Sequence, residues 1–104
     1  MIPQVVKIYR GWRNSADWSD KTVTVNGNPL KHIERHSPDG FEWGYGGSGP
    51  SDLALSILTD FAGEEIAKRH YQDFKWSFVS KFEQNEWILT EAQIKDWLQT
   101  LAIN

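Results

Sequence analysis

The stretch that decides the fold is Phe41-Glu42-Trp43-Gly44-Tyr45-Gly46-Gly47-Ser48-Gly49-Pro50-Ser51-Asp52-Leu53-Ala54-Leu55. Before it the chain reads with a period of two, and after it with the period of a helix. Phe41, Trp43 and Tyr45 alternate with Glu42 and Gly44 and would share one face of a strand. Beyond the glycines, Leu53, Ala54, Ile57, Leu58 and Phe61 recur at helical spacing. Pro50 suits the first helical position, where its missing N–H would be unpaired anyway, which makes Gly49 the N-cap. The expected fold is therefore α+β: a small antiparallel sheet of about four strands in the N-terminal half, covered by about three helices from the C-terminal half.

Upstream, Val5-Val6-Lys7-Ile8-Tyr9 is β-rich, and Thr22-Val23-Thr24-Val25 alternates polar with branched apolar residues. Asn26-Gly27 marks a tight turn, because both residues tolerate positive φ. Leu30 to His36 reads as a third strand, with Leu30, His32 and Glu34 on one face. Ser37-Pro38-Asp39-Gly40 is a turn before the strand Phe41–Tyr45. Gly11 to Asp20, with Trp12 and Trp18, reads as a polar loop. Downstream, Gly63 stops the first helix. A second helix opens at Glu64 and Glu65, whose charges favour a helix N-terminus. Ala67, Tyr71, Phe74 and Phe78 line its inner face; Trp76 and Val79 point away from Ala67. Asn85-Glu86 breaks that pattern, and Thr90-Glu91-Ala92-Gln93 matches a capping box ahead of Ile94, Trp97, Leu98 and Leu101.

Composition bounds the function. The chain has 104 residues, 11 basic against 14 acidic, and no cysteine, the size of one domain. Zero cysteine excludes disulfides, thiol catalysis and Cys-ligated zinc, and fits a cytoplasmic setting. No apolar run is long enough to span a membrane, and Met1-Ile2-Pro3-Gln4 lacks the start of a signal peptide. The basic residues are scattered among acidic ones, which argues against nucleic acid as a partner. No cofactor motif is present. Half of the eight glycines, Gly44, Gly46, Gly47 and Gly49, stand within six residues.

That loop is the main candidate site. Glycines let a ligand approach the backbone, successive N–H groups can form a concave nest, and the helix N-terminus that follows favours an anion. Ser48 could add a hydroxyl, and Trp43 or Tyr45 could stack on a base or sugar. Trp43, Gly44, Tyr45, Gly46, Gly47, Ser48 and Gly49, with His36 from the neighbouring turn, are the expected ligand residues. The alternative is that the four glycines merely make a sharp crossover under aromatic rings. The spacing is neither a P-loop nor a dinucleotide fingerprint. Asp52, three residues into the helix, could reach back to the Gly49 N–H and neutralise the helix end. A second candidate is an interface through Trp76, Trp12 and Trp18, since outward tryptophans often anchor partners; helix packing on both sides of Trp76 is the competing reading. A metal held by His32, Glu34 and His36, with Asp39 or Glu42, has no compact motif behind it. Hydrolysis through His36 and Ser48, oriented by Asp39 or Asp52, lacks a nucleophile elbow.

The run from His36-Ser37-Pro38-Asp39-Gly40 through the glycine loop to Ala54-Leu55-Ser56-Ile57-Leu58 resembles the hallmark of a domain-of-unknown-function family of short bacterial and phage-encoded proteins. Weaker likeness lies in Tyr9-Arg10-Gly11, Tyr71-Gln72-Asp73-Phe74-Lys75, Trp87-Ile88-Leu89-Thr90 and Trp97-Leu98. Ser51 and Ser56 stand where the family has alanine. The resemblance implies a small accessory protein of phage or mobile-element origin, acting against host defence, and carries no activity with it. The expected function is a non-enzymatic module holding a small anionic ligand such as a nucleotide. The alternatives are a module that inhibits a host protein through exposed aromatics, and a small hydrolase using His36 with Ser48 or a metal. A homo-oligomer is compatible with the sequence.

Overall fold

The computed structural model describes residues 6–102. Val5 of the first expected strand and the start Met1–Gln4 lie outside them. The α+β class holds: a four-stranded antiparallel sheet among the described residues and three α-helices. Strand β1 (Ile8–Arg13) pairs with β2 (Lys21–Val25), which turns through Asn26-Gly27 into the two-residue β3 (Asn28–Pro29). Asn26 (φ 50°) and Gly27 (φ 82°) take the positive dihedrals of the expected turn. β4 (Glu86–Thr90) comes from the far end of the chain and pairs with β1 on its other side, giving the order β3-β2-β1-β4.

Three local readings differ from these elements. Gly11–Arg13 continue β1 rather than opening a loop. Leu30–His36 and Phe41–Tyr45 form no strands; they belong to a long irregular segment between β3 and the first helix. The fourth strand is instead Glu86–Thr90, whose burial alternates as a strand's should: Trp87 and Leu89 inward, Glu86 and Ile88 outward.

Helices α1 (Ser48–Ala62) and α2 (Glu64–Ser77) flank Gly63, and α3 (Glu91–Ala102) follows β4 directly. α1 starts two residues earlier than Pro50, and its N-cap is Gly47 rather than Gly49. Every residue from Gly49 to Leu58 is buried, so α1 is the centre of the molecule rather than a one-sided surface helix. Tyr9, Val23 and Leu89 of the sheet, Leu53, Ile57 and Leu58 of α1, Ala67 and Phe74 of α2 and Ile94 of α3 share one core. Val79 lies in a short 3-10 turn (Val79–Lys81) and is fully buried, not outward beside Trp76. The capping box at α3 is formed: Thr90 N–H donates to Gln93 Oε1 (2.9 Å) and Gln93 N–H to Thr90 Oγ1 (3.3 Å). Asp60, near the end of α1, ties the helix to β1 by accepting from the Tyr9 hydroxyl (2.6 Å) and the Lys7 ammonium (3.0 Å). Burial and the Asp60 carboxylate together hold the Tyr9 phenol well above its ordinary pKa. No helix among the described residues is long and apolar enough to cross a membrane.

Candidate functional site

The glycine loop is anchored by Trp43. This side chain is fully buried, its indole N–H donates to the Gln84 carbonyl (3.0 Å), and the Arg13 guanidinium lies 4.4 Å from its ring centre. Arg13 is held in turn by Glu42, which also pairs with Lys21. Burial pushes the Glu42 carboxyl up, but these two cations outweigh it and keep its pKa below the usual value. Gly44 follows at φ +86°, its N–H donating to the Val79 carbonyl (3.0 Å), and a Cβ there would run into the Gln84 amide. At Gly46 the reason is close approach rather than dihedral: the Trp76 indole lies against its Cα. The Tyr45 ring covers Gly47 in the same way. Two features expected separately, the glycine loop and Trp76, are thus one surface, with Trp76 56% and Tyr45 50% exposed.

Around the start of α1, the N–H groups of Gly46, Gly47, Ser48 and Gly49 make no backbone hydrogen bond among the described residues; the first helical bond runs from Ser51 N–H to the Gly47 carbonyl (3.1 Å). Beside these free donors sits Lys75 of α2, only 5% exposed. Its ammonium donates to the Gly46 carbonyl (3.2 Å) and to Ser51 Oγ (3.3 Å) and lies 4.6 Å from the Trp76 ring centre. Among the described residues no carboxylate pairs with it, and α1 has no acidic residue in its first turn. Burial pushes the Lys75 pKa down. A cation at a helix N-terminus also faces a partial positive charge, so this corner has a surplus of positive potential.

Asp52 does not reach back to Gly49. It is fully buried and points to the irregular segment, accepting from His32 Nε2 (2.9 Å) and from the N–H groups of Arg35, His36 (2.9 Å) and Ser37 (3.0 Å). Burial pushes its carboxyl up; the bonds from His32 and the three amides outweigh that and hold the pKa below the ordinary carboxylate value. The concave nest therefore exists, but residues 35–37 build it and the protein's own carboxylate fills it. This also explains why Leu30–His36 is not a strand: its amides are spent on Asp52, and Ile33 N–H goes to Ser56 Oγ (2.9 Å).

The remaining expected residues scatter. The His36 ring contacts Tyr71 OH through Nε2 (2.7 Å), and no hydrogen bond joins it to Ser48. His32 packs on Phe41 beside a cleft of about 310 Å³ that Asp20, Lys21 and Asp39 also line. Among the described residues no group of three His, Asp or Glu side chains is placed to hold a metal ion. Trp18 is 52% exposed and Trp12 is half-buried under the Arg10 guanidinium (4.6 Å), both away from Trp76 in sequence and contacts. Sequence reasoning missed Lys75 and Tyr71. Lys75 stands four residues after Tyr71 and one after Phe74, on the inner stripe of α2, and a lysine in that register is the signal that could have marked it.

One family model, described as a family of unknown function (DUF6166), matches residues 9–100 of the chain, in accord with the resemblance. No curated protein and no solved structure matches it.

Proposed function

The chain belongs to this family of unknown function, and we propose that it is a non-enzymatic binding module that holds a small anionic ligand, such as a nucleotide, at the start of α1. The single observation that carries this reading is Lys75: a buried ammonium without a counter-charge, placed beside unbonded N–H groups at a helix N-terminus. Burying an unpaired charge costs several kcal/mol, and an anion is the partner that relieves it. A phosphate would take the N–H groups of Gly47 and Ser48, with the Lys75 ammonium leaving the Gly46 carbonyl to reach it, and the exposed faces of Trp76 or Tyr45 would stack on a base. Ser48 is exposed at the same helix start.

Thermal denaturation with ADP, cyclic dinucleotides and inorganic pyrophosphate tests the reading. A ligand at 100 times its dissociation constant stabilises by about 2.7 kcal/mol, a shift of roughly 10 °C or more for a domain of this size. Lys75→Met should abolish the shift while the protein stays folded. No shift with any of the anions, or a shift that survives Lys75→Met, overturns it.

A second reading is favoured by the paired exposure of Trp76 and Tyr45: a protein-interaction module that contacts a partner, such as a host enzyme, through these aromatics. In that case Trp76→Ala abolishes capture of the partner, whereas Lys75→Met leaves it intact.

A further inference from the structure

A second cleft, of about 530 Å³, opens between the irregular segment and the α1–α2 pair, and none of its lining residues belongs to the glycine loop. Its volume is in the range of small-molecule sites. Ile33 and Leu55 give it an apolar wall, and Lys31, Arg35 and Lys68 surround it. Lys68 is paired with Glu64 (2.9 Å), but no ion pair or side-chain hydrogen bond engages Lys31 or Arg35 among the described residues. With Glu34 counted against them, the unpaired charge at the cleft is positive. Thr59 also lines it, and its buried hydroxyl has no hydrogen-bond partner, an uncommon state for a buried polar atom. A helical threonine moves between two χ1 rotamers, so this hydroxyl can turn to a ligand.

We propose that this cleft binds a small amphipathic organic anion. The acid group pairs with Arg35 and Lys31, the apolar body lies on Ile33 and Leu55, and Thr59 Oγ1 supplies a hydrogen bond. Arg35 suits an acid group because its planar guanidinium can bind both oxygens of a carboxylate or phosphate at once. The loop that carries it is fixed, since the Arg35 and His36 amides are tied to Asp52.

The test is an NMR titration of the full chain with octanoate, with octanol and acetate as the uncharged and the bodiless counterparts. Octanoate is expected to move the amide signals of Ile33, Leu55 and Thr59, and each counterpart to bind about tenfold more weakly. Arg35→Glu, which keeps the backbone N–H that Asp52 needs, should weaken octanoate by about tenfold or more, and Thr59→Val by a smaller factor. Lys31→Glu serves as the second charge variant if Arg35→Glu fails to fold. The proposal is overturned if octanoate moves none of these signals, or if octanol or acetate binds as well as octanoate. Shifts confined to the apolar cleft at Ile66, Leu98 and Leu101 also overturn it. Lys75→Met leaves this binding unchanged, which separates the outcome from that of the glycine-loop site.

Discussion

Two charged side chains are buried near the start of α1, and they are treated in opposite ways. Asp52 has a histidine and three backbone amides converging on it, and burial has been more than offset. Lys75 has one carbonyl, one hydroxyl and an aromatic face, all of them neutral, and burial dominates. A buried charge with every lone pair engaged is finished as a structural element; nothing more can be added to it. A buried charge held only by neutral groups keeps its field, and that field is available to a ligand. The difference separates a group that builds the fold from one that is free to act.

The largest expected effect is on the Asp52 side. Asp52→Ala leaves four donors without an acceptor and should cost about 3–5 kcal/mol, read as the midpoint shift in urea denaturation. A loss below about 1 kcal/mol would erase the distinction drawn between the two groups. Stability should rise with pH through both titrations, but in separate windows and for opposite reasons. Asp52 titrates below its unfolded value, so its stabilisation is complete above the ordinary carboxylate pKa and is lost as pH falls through the depressed value. Lys75 also titrates below its unfolded value, but for a lysine that is a penalty. The penalty is full below the depressed pKa and is relieved as pH rises from there towards 10.5. Stability profiles of Asp52→Asn and Lys75→Met should each lose one limb. Gly46→Ala puts a methyl group into the Trp76 indole. Because that ring is half-exposed and can swing away, about 1 kcal/mol is expected, with a change in tryptophan emission. The smallest effect on stability belongs to Lys75→Met, which should be neutral or slightly stabilising by calorimetry. A loss as large as that of Asp52→Ala would show that the ammonium is structural as well.

The local devices of the fold are readable in the sequence. The turn at Asn26-Gly27, the stop at Gly63, the capping box at Thr90 and the outward Trp76 are local devices, and each is where its chemistry requires it. Local periodicity failed between Leu30 and Tyr45, because a side chain in α1 competes with sheet partners for those amides. Nothing within the segment announces that competition. Asp52 stands out in the sequence, but its direction is set by tertiary placement and not by its place in the helix. Lys75 is hidden for a related reason: position on the inner stripe is legible, whereas the absence of a counter-charge depends on three elements meeting. Glu86–Thr90 shows the alternation of a strand, yet it lies among helices, and only pairing with β1 selects that conformation.

That pairing also governs when the molecule can form. β1 lies between β2 and β4, and Lys7 N–H reaches the Glu91 carboxylate across 84 residues of chain. A chain leaving the ribosome can close the β1–β2 hairpin early and can wind α1 and α2. It cannot cover the open flank of β1, or seat Trp87 against Trp43, until the last strand is synthesised. Loop closure of this length is slow relative to hairpin formation. The β4 flank of the core therefore seals late, and a chain halted before Glu86 would leave the ribosome with an unprotected strand edge, a target for proteases and for pairing with other chains.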